Sequence, residues 1–303
     1  MITVLSSSDI RPKKTAPTPI DVYDGAAMAG NPTPPRATRY ADLPLDRALQ
    51  FHALEESSPF AHDTACARYR FAAGLLNGGE RVLDLGCGPG FGCPILLRGG
   101  AAAVTGLDEQ AEMIEYASRR YAQPGITFVA GSGLDHRFPD GAFELVTAFE
   151  VIEHLTDPRA LLDRAARWLT PGGRLVVSTP NRLVHQLMGI TWPFHEREYG
   201  SSDLLALFEP VFDRGHLAFY GQNPSLVEHF RLRRGRFTPV RSPIPGPMRA
   251  IIPRALVDAV RRVVPRKPRP VSPSDPDLIE ACRIEARDLD TCETFLVVAS
   301  RPE

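Results

Sequence analysis

A chain of 303 residues with 43% hydrophobic content and a formal net charge of −1 can bury one sizeable core with an appended segment, and it carries no global field toward nucleic acid or membrane. Five cysteines (Cys66, Cys87, Cys93, Cys282, Cys292) without C-x-x-C spacing argue against a disulfide framework or zinc knuckle and fit a reducing, cytoplasmic setting. No stretch approaches the eighteen apolar residues of a membrane span, and the N-terminus lacks the basic and apolar regions of a signal peptide.

In chain order, residues 1–44 hold prolines at 12, 17, 19, 32, 34, 35 and 44, a composition that predicts a disordered tail. Helical spacing follows over 45–56 and 63–76, broken at Ser57-Ser58-Pro59. The apolar run Val82, Leu83, Leu85 predicts a buried parallel strand that stops at a glycine-rich loop, with a helix starting near Phe91. Next come a strand over 102–107, a helix over 110–121, a strand over 126–130, a turn at 138–141 and a strand over 142–149. A helix over 161–169 ends at Thr170-Pro171-Gly172-Gly173 and feeds a strand over 174–178. A long loop over 179–199, a helix over 204–208 and a strand over 215–220 lead into a basic segment. Between Glu228 and Val271 lie twelve Arg or Lys against two acids, with an amphipathic run over 248–264. A last strand over 294–299 closes the chain. The pattern predicts an α/β protein: a tail (1–44), a core (45–221), a basic insert or lid (222–272), and a return to the core (273–303).

The stretch Asp84-Leu85-Gly86-Cys87-Gly88-Pro89-Gly90 is the centre of this reading. Glycines at 86, 88 and 90 let backbone approach a ligand closely. The dinucleotide pattern G-x-G-x-x-G fails, since its last position falls on Phe91 or Cys93. Asp108, about twenty residues on at the tip of the second strand, is placed to accept hydrogen bonds from ribose hydroxyls. Loop and acid together resemble the class I S-adenosylmethionine-dependent methyltransferases. The resemblance covers roughly residues 60–221 and resumes at the final strand. It implies a doubly wound, seven-stranded, mostly parallel sheet with an antiparallel last strand. It also implies S-adenosylmethionine as cofactor, held around Asp84, Gly86, Cys87, Gly88, Asp108, Glu109, Ser132, Gly133 and Phe149. Tyr69 and Arg70 are candidates for the methionine carboxylate. Where the family usually presents an acid or amide to adenine, this chain offers Ser132.

The fourth strand runs into Glu150-Val151-Ile152-Glu153-His154. If a helix begins here, Glu150, Glu153 and His154 share one face at i, i+3, i+4. His195 in the next strand's loop adds a second imidazole, and the four together suit Mg, Mn or Zn. The run is similar to that of two branches of the family, small-RNA terminal 2′-O-methyltransferases and ubiquinone-pathway hydroxyl O-methyltransferases. His154, His195 and Glu150 are the candidate catalytic groups. His185 and Glu196 are further proton acceptors, and Trp192, Phe194 and Tyr199 could stack on a planar acceptor. The expected reaction is O-methylation of a small molecule or saccharide with neighbouring hydroxyls, in carbohydrate or natural-product modification. The alternatives are a metal-free enzyme with a histidine base and an RNA 2′-O-methyltransferase. The basic stretch 231–241 reads as a solvated or dimer-contact surface rather than a nucleic-acid grip, which leaves a homodimer open.

Overall fold

The computed structural model describes residues 59–188, 194–223, 283–286, 289 and 292–303. The expected tail, the helix over 45–56, residues 224–272 of the basic insert, Trp192 and Cys282 lie outside them. The described strands are β1 (Arg81–Leu85), β2 (Ala103–Asp108), β3 (Ile126–Ala130), β4 (Phe143–Phe149), β5 (Leu169–Pro180), β6 (Leu217–Gln222), β7 (Ile284–Glu285) and β8 (Thr294–Ser300). They form one sheet in the order β3-β2-β1-β4-β5-β8-β6-β7. The sheet thus has eight strands where seven are expected, because a two-residue strand pairs with the end of β6 at the edge. The expected antiparallel last strand is present, inserted between β5 and β6.

Helices pack against this sheet: α1 (Pro59–Ala73), α2 (Gly92–Arg98), α3 (Ala111–Tyr121), α4 (Pro158–Trp168), α5 (Arg182–Met188) and α6 (Ser201–Phe208). The sequence explains their ends. Asp157 caps α4 by accepting from the Ala160 N–H at 3.0 Å, with Pro158 at the first helical position, where its missing N–H costs nothing. Asp203 in the first turn of α6 accepts from the Gly200 N–H at 2.8 Å. α4 is amphipathic and buries Leu161, Leu162, Ala165 and Trp168 against β4 and β5. The stretch expected to be a loop over 179–199 contains α5, whose exposed Leu183 and Leu187 weaken its amphipathic signal. Among the described residues no helix is long and apolar enough to cross a membrane, and Cys66, Cys87, Cys93 and Cys292 are buried free thiols.

β1 and β4 are neighbours, and from them the sheet is built outward in opposite directions. Their parallel register pairs Val82 with Leu145 and Leu85 with Ala148. The strands emerge side by side at the point where α/β sheets of this kind open a crevice. Beneath that crevice lies Asp84, fully buried among the apolar Val82, Leu83 and Leu85 of β1. Thr147 Oγ1 donates to its Oδ1 at 2.7 Å, Tyr69 Oη to its Oδ2 at 3.1 Å, and the Cys93 thiol to Oδ2 at 3.7 Å. Burial pushes the Asp84 carboxyl up to about 7, and the hydrogen bonds from Thr147, Tyr69 and Cys93 oppose that rise.

Because the folded state favours the neutral acid, it binds a proton that the unfolded chain releases near pH 4. This contribution is complete below that pH, fades as pH rises toward about 7, and amounts to on the order of 4 kcal/mol across the window. Asp84→Asn should therefore gain stability relative to the parent as pH goes from 5 to 8, measured by urea unfolding. A pH-independent difference between the two would contradict the assignment.

Candidate active site

The loop after β1 is tied down by backbone. The N–H groups of Gly86 and Cys87 donate to the carbonyl of Leu107 at 2.8 and 3.1 Å, and that of Gly90 to Cys87 at 3.0 Å. Gly86 has φ +65°, and a Cβ there would come within 2.6 Å of Val151 Cγ2; Gly90 has φ +85°, and a Cβ would meet Ala117 and Phe128 at 2.7 and 2.8 Å. Both positions need glycine for conformation and for space. Asp108, at the end of β2, accepts from the Gly88 N–H at 2.9 Å and from the Gln110 N–H at 2.9 Å. It fixes the loop to the neighbouring strand through both of its carboxylate oxygens.

On the other side of the crevice, β4 ends at Glu150, whose φ of +54° is unusual for a residue with a side chain. Its N–H donates to the Ser178 carbonyl at 3.1 Å, and its Oε1 accepts from Ser178 Oγ at 2.6 Å. A single 3-10 turn, Ile152–His154, follows. Glu153 is fully buried. Thr179 Oγ1 donates to its Oε2 at 3.0 Å, while its Oε1 is buried without a hydrogen-bond partner. Burial, and then the nearby Glu150 charge, raise the Glu153 carboxyl well above the ordinary range. The segment carrying His195 is pinned to this turn, because the N–H groups of Glu196 and Arg197 donate to the Glu153 carbonyl at 2.8 and 3.2 Å. Glu153, His154 and His195 bring one ligand atom each within 4.8 Å of one another. His154 Nδ1 lies 3.1 Å from the Phe194 carbonyl, and burial, reinforced by His154, lowers the His195 pKa. An orphaned buried carboxylate oxygen beside two imidazoles is a donor set that fits a divalent cation.

Residues 83–177 match the family model described as "Methyltransferase domain". The chain is 36% identical over 133 residues to a Mycolicibacterium smegmatis protein named "Probable S-adenosylmethionine-dependent methyltransferase", covering 43% of this chain and 51% of that protein. It is 39% identical over 127 residues to a ubiquinone biosynthesis O-methyltransferase of a Bradyrhizobium species, covering 41% and 49%. The chain thus spans about half the length of the curated relatives it matches. Among solved structures, a Haemonchus contortus phosphoethanolamine N-methyltransferase 2 shares the fold, with a TM-score of 0.54 at 15% identity over 90% of this chain and 62% of that one.

The expected site residues separate into two layers. Gly86, Gly88 and Asp108 line the loop and strand tip as expected, and Glu109 beside them is exposed. Ser132 and Gly133 follow β3. Ser132 Oγ accepts from the Leu134 N–H at 3.1 Å, and a Cβ on Gly133 would press on Leu161 at 2.8 Å. Asp84, Cys87 and Phe149 have their side chains in the layer beneath. Asp84 is saturated by Tyr69, Thr147 and Cys93, Cys87 is buried, and Phe149 packs edge-on to Tyr69 at 4.9 Å. In this structure these side chains support the loop from below. Tyr69 is likewise committed to Asp84, and Arg70 is exposed.

The helical-face argument for the acids is corrected. The 3-10 turn and the positive φ of Glu150 replace an α-helix, and Glu150 stands outside the group whose ligand atoms lie within 4.8 Å. Tyr199 is buried with its hydroxyl donating to the Ile152 carbonyl at 3.3 Å, so it anchors the loop instead of stacking on a ligand. His185, expected as a spare proton acceptor, is buried against Glu198 at 2.7 Å, and Glu196 is exposed. Sequence reasoning gave no role to Ser178, Thr179 or Glu198. Only Glu198, three residues after His195, carries a spacing that could have pointed to it.

Asp108→Ala should weaken S-adenosylmethionine binding by roughly 1–3 kcal/mol, since it removes a charged acceptor and frees the Gly88 N–H. Calorimetry measures this directly, and unchanged affinity would remove Asp108 from the cofactor site.

Proposed function

We propose that this protein is an S-adenosylmethionine-dependent O-methyltransferase that acts on a hydroxyl of a small molecule or saccharide, with a divalent cation assisting. The observation that carries this reading is the pairing of β1 with β4, which sets the Gly86–Gly90 loop beside the Glu153, His154 and His195 cluster. The names of relatives such as the ubiquinone biosynthesis O-methyltransferases support a hydroxyl acceptor.

S-adenosylmethionine supplies a sulfonium methyl for in-line displacement by the acceptor oxygen. Gly86 and Gly88 would admit its methionine end, and Asp108 would accept from its ribose hydroxyls. Glu109, Ser132 and Gly133 would border the adenosine, with backbone groups after β3 standing in for an adenine-binding acid. Glu153, His154 and His195 would hold the cation, whose contribution is to lower the pKa of a bound hydroxyl. Glu150, turned toward Ser178, would border the acceptor instead of binding the ion directly. Two neighbouring acceptor oxygens would satisfy such a site better than one, hence the preference for vicinal hydroxyls.

A second reading has a specific observation in its favour. His195 Nδ1 lies 3.2 Å from a Glu198 carboxylate oxygen, the arrangement of an imidazole oriented as a general base.

Labelled S-adenosylmethionine offered with catechols, saccharides and RNA ends, with and without EDTA, separates the readings. Glu153→Ala and His195→Ala should each lower turnover by at least about 100-fold, in line with loss of a metal-held or base-assisted step. Cofactor affinity should stay within a factor of about two, and EDTA should abolish turnover reversibly. Full activity in chelated enzyme, lost only with His195→Ala, would favour the metal-free base.

A further inference from the structure

A partly buried carboxylate, Glu198, is aimed at His195, and with His185 and His195 it forms a second group whose ligand atoms lie within 4.8 Å of one another. Glu198 Oε1 lies 3.2 Å from His195 Nδ1 and 2.7 Å from His185 Nδ1, with the three side chains only 18%, 10% and 9% exposed. The two imidazoles lie nearly parallel, 18° apart with centroids at 6.2 Å. A carboxylate accepts and cannot donate, so each Nδ1 facing it must carry the proton.

We propose that Glu198 is a positioning residue that fixes His195 as the Nδ1–H tautomer and thereby presents Nε2 toward Glu153 and His154. His185 grips the same carboxylate from α5 and keeps it from swinging away. The backbone bonds from Glu196 and Arg197 to the Glu153 carbonyl hold the loop on its other side, so the imidazole is set by main chain and side chain together. A carboxylate behind a ligating histidine fixes ring orientation and raises ligand basicity. The assignment rests on the proposed role of His195 as ligand or base, but the tautomer is a property of the chain itself.

The test uses the full-length protein without added metal. Long-range ¹H–¹⁵N spectra of the histidine rings should show His195 protonated at Nδ1 in the parent, and a shift toward the Nε2–H form in Glu198→Ala. Calorimetric titration with Mn²⁺ should show binding weakened about 10- to 100-fold in that variant, with cofactor affinity unchanged. Glu198→Gln retains an acceptor oxygen and should keep the tautomer while recovering most of the Mn²⁺ affinity, which also covers the case in which the alanine variant fails to fold. In a His195→Ala background, Glu198→Ala should cause no further loss. An Nε2–H tautomer in the parent, an unchanged tautomer in Glu198→Ala, or an equal loss in the His195→Ala background would overturn the assignment. A parent protein that binds no Mn²⁺ but shows the Glu198-dependent tautomer would remove the metal from the proposed function and leave the positioning role standing.

Discussion

The in-register parallel pairing of β1 with β4 is the constraint on which the site depends. Leu85 sits opposite Ala148, and on the next strand Phe149 sits opposite Ser178. Three chain segments therefore leave the sheet at one level: the glycine loop, the turn at Glu150, and the start of the segment leading to His195. A left-handed φ at Glu150 costs about 1–3 kcal/mol. It persists because two contacts to the Ser178 hydroxyl and one to its carbonyl hold the residue in place. That kink turns the chain away from the sheet abruptly and lets a single 3-10 turn deliver Glu153 and His154 where a regular helix would carry them onward.

Among the described residues two carboxyls are fully buried, Asp84 and Glu153, and their surroundings distinguish architecture from chemistry. Asp84 receives two hydroxyls and a thiol, so its environment is complete, and its role is to join α1, α2, β1 and β4 under the loop. Glu153 is as deeply buried but has one oxygen satisfied and one left bare. Leaving a buried acceptor unmet costs about 1–3 kcal/mol, and more if it is charged. Such a residue is a poor choice for stability alone. The same burial that makes Glu153 costly in isolation would strengthen its attraction to a cation or a donated proton.

Much of this was legible in the sequence, for identifiable reasons. The parallel strands read as apolar runs because both their faces are covered, and Ile126–Ala130 falls where the pattern puts it. Asp108 was legible because its spacing from the loop is set by one βαβ unit. What misled was local chemistry decided by tertiary packing. The i, i+3, i+4 spacing of Glu150, Glu153 and His154 suggests one helical face, yet the Ser178 clamp on Glu150 selects a different turn. Asp84 and Cys87 belong to the motif, but alternation across a strand and a tight turn sends their side chains downward. Helix α5 was missed because its exposed face carries Leu183 and Leu187, and an apolar residue on both sides of a short helix erases the period that would reveal it. The two-residue β7 is too short to leave any pattern.

The segment 194–200 shows how a non-local site can be held without a rigid element of its own. Its backbone donates twice to Glu153, Tyr199 reaches the Ile152 carbonyl with its hydroxyl, and the Tyr199 carbonyl accepts from the Arg182 N–H at 2.9 Å. Each bond ends on the 3-10 turn or on the start of α5, so His195 is referenced to Glu153 through neighbouring peptide groups and not through the length of the intervening chain. Displacement of that turn would carry all three members of the cluster together.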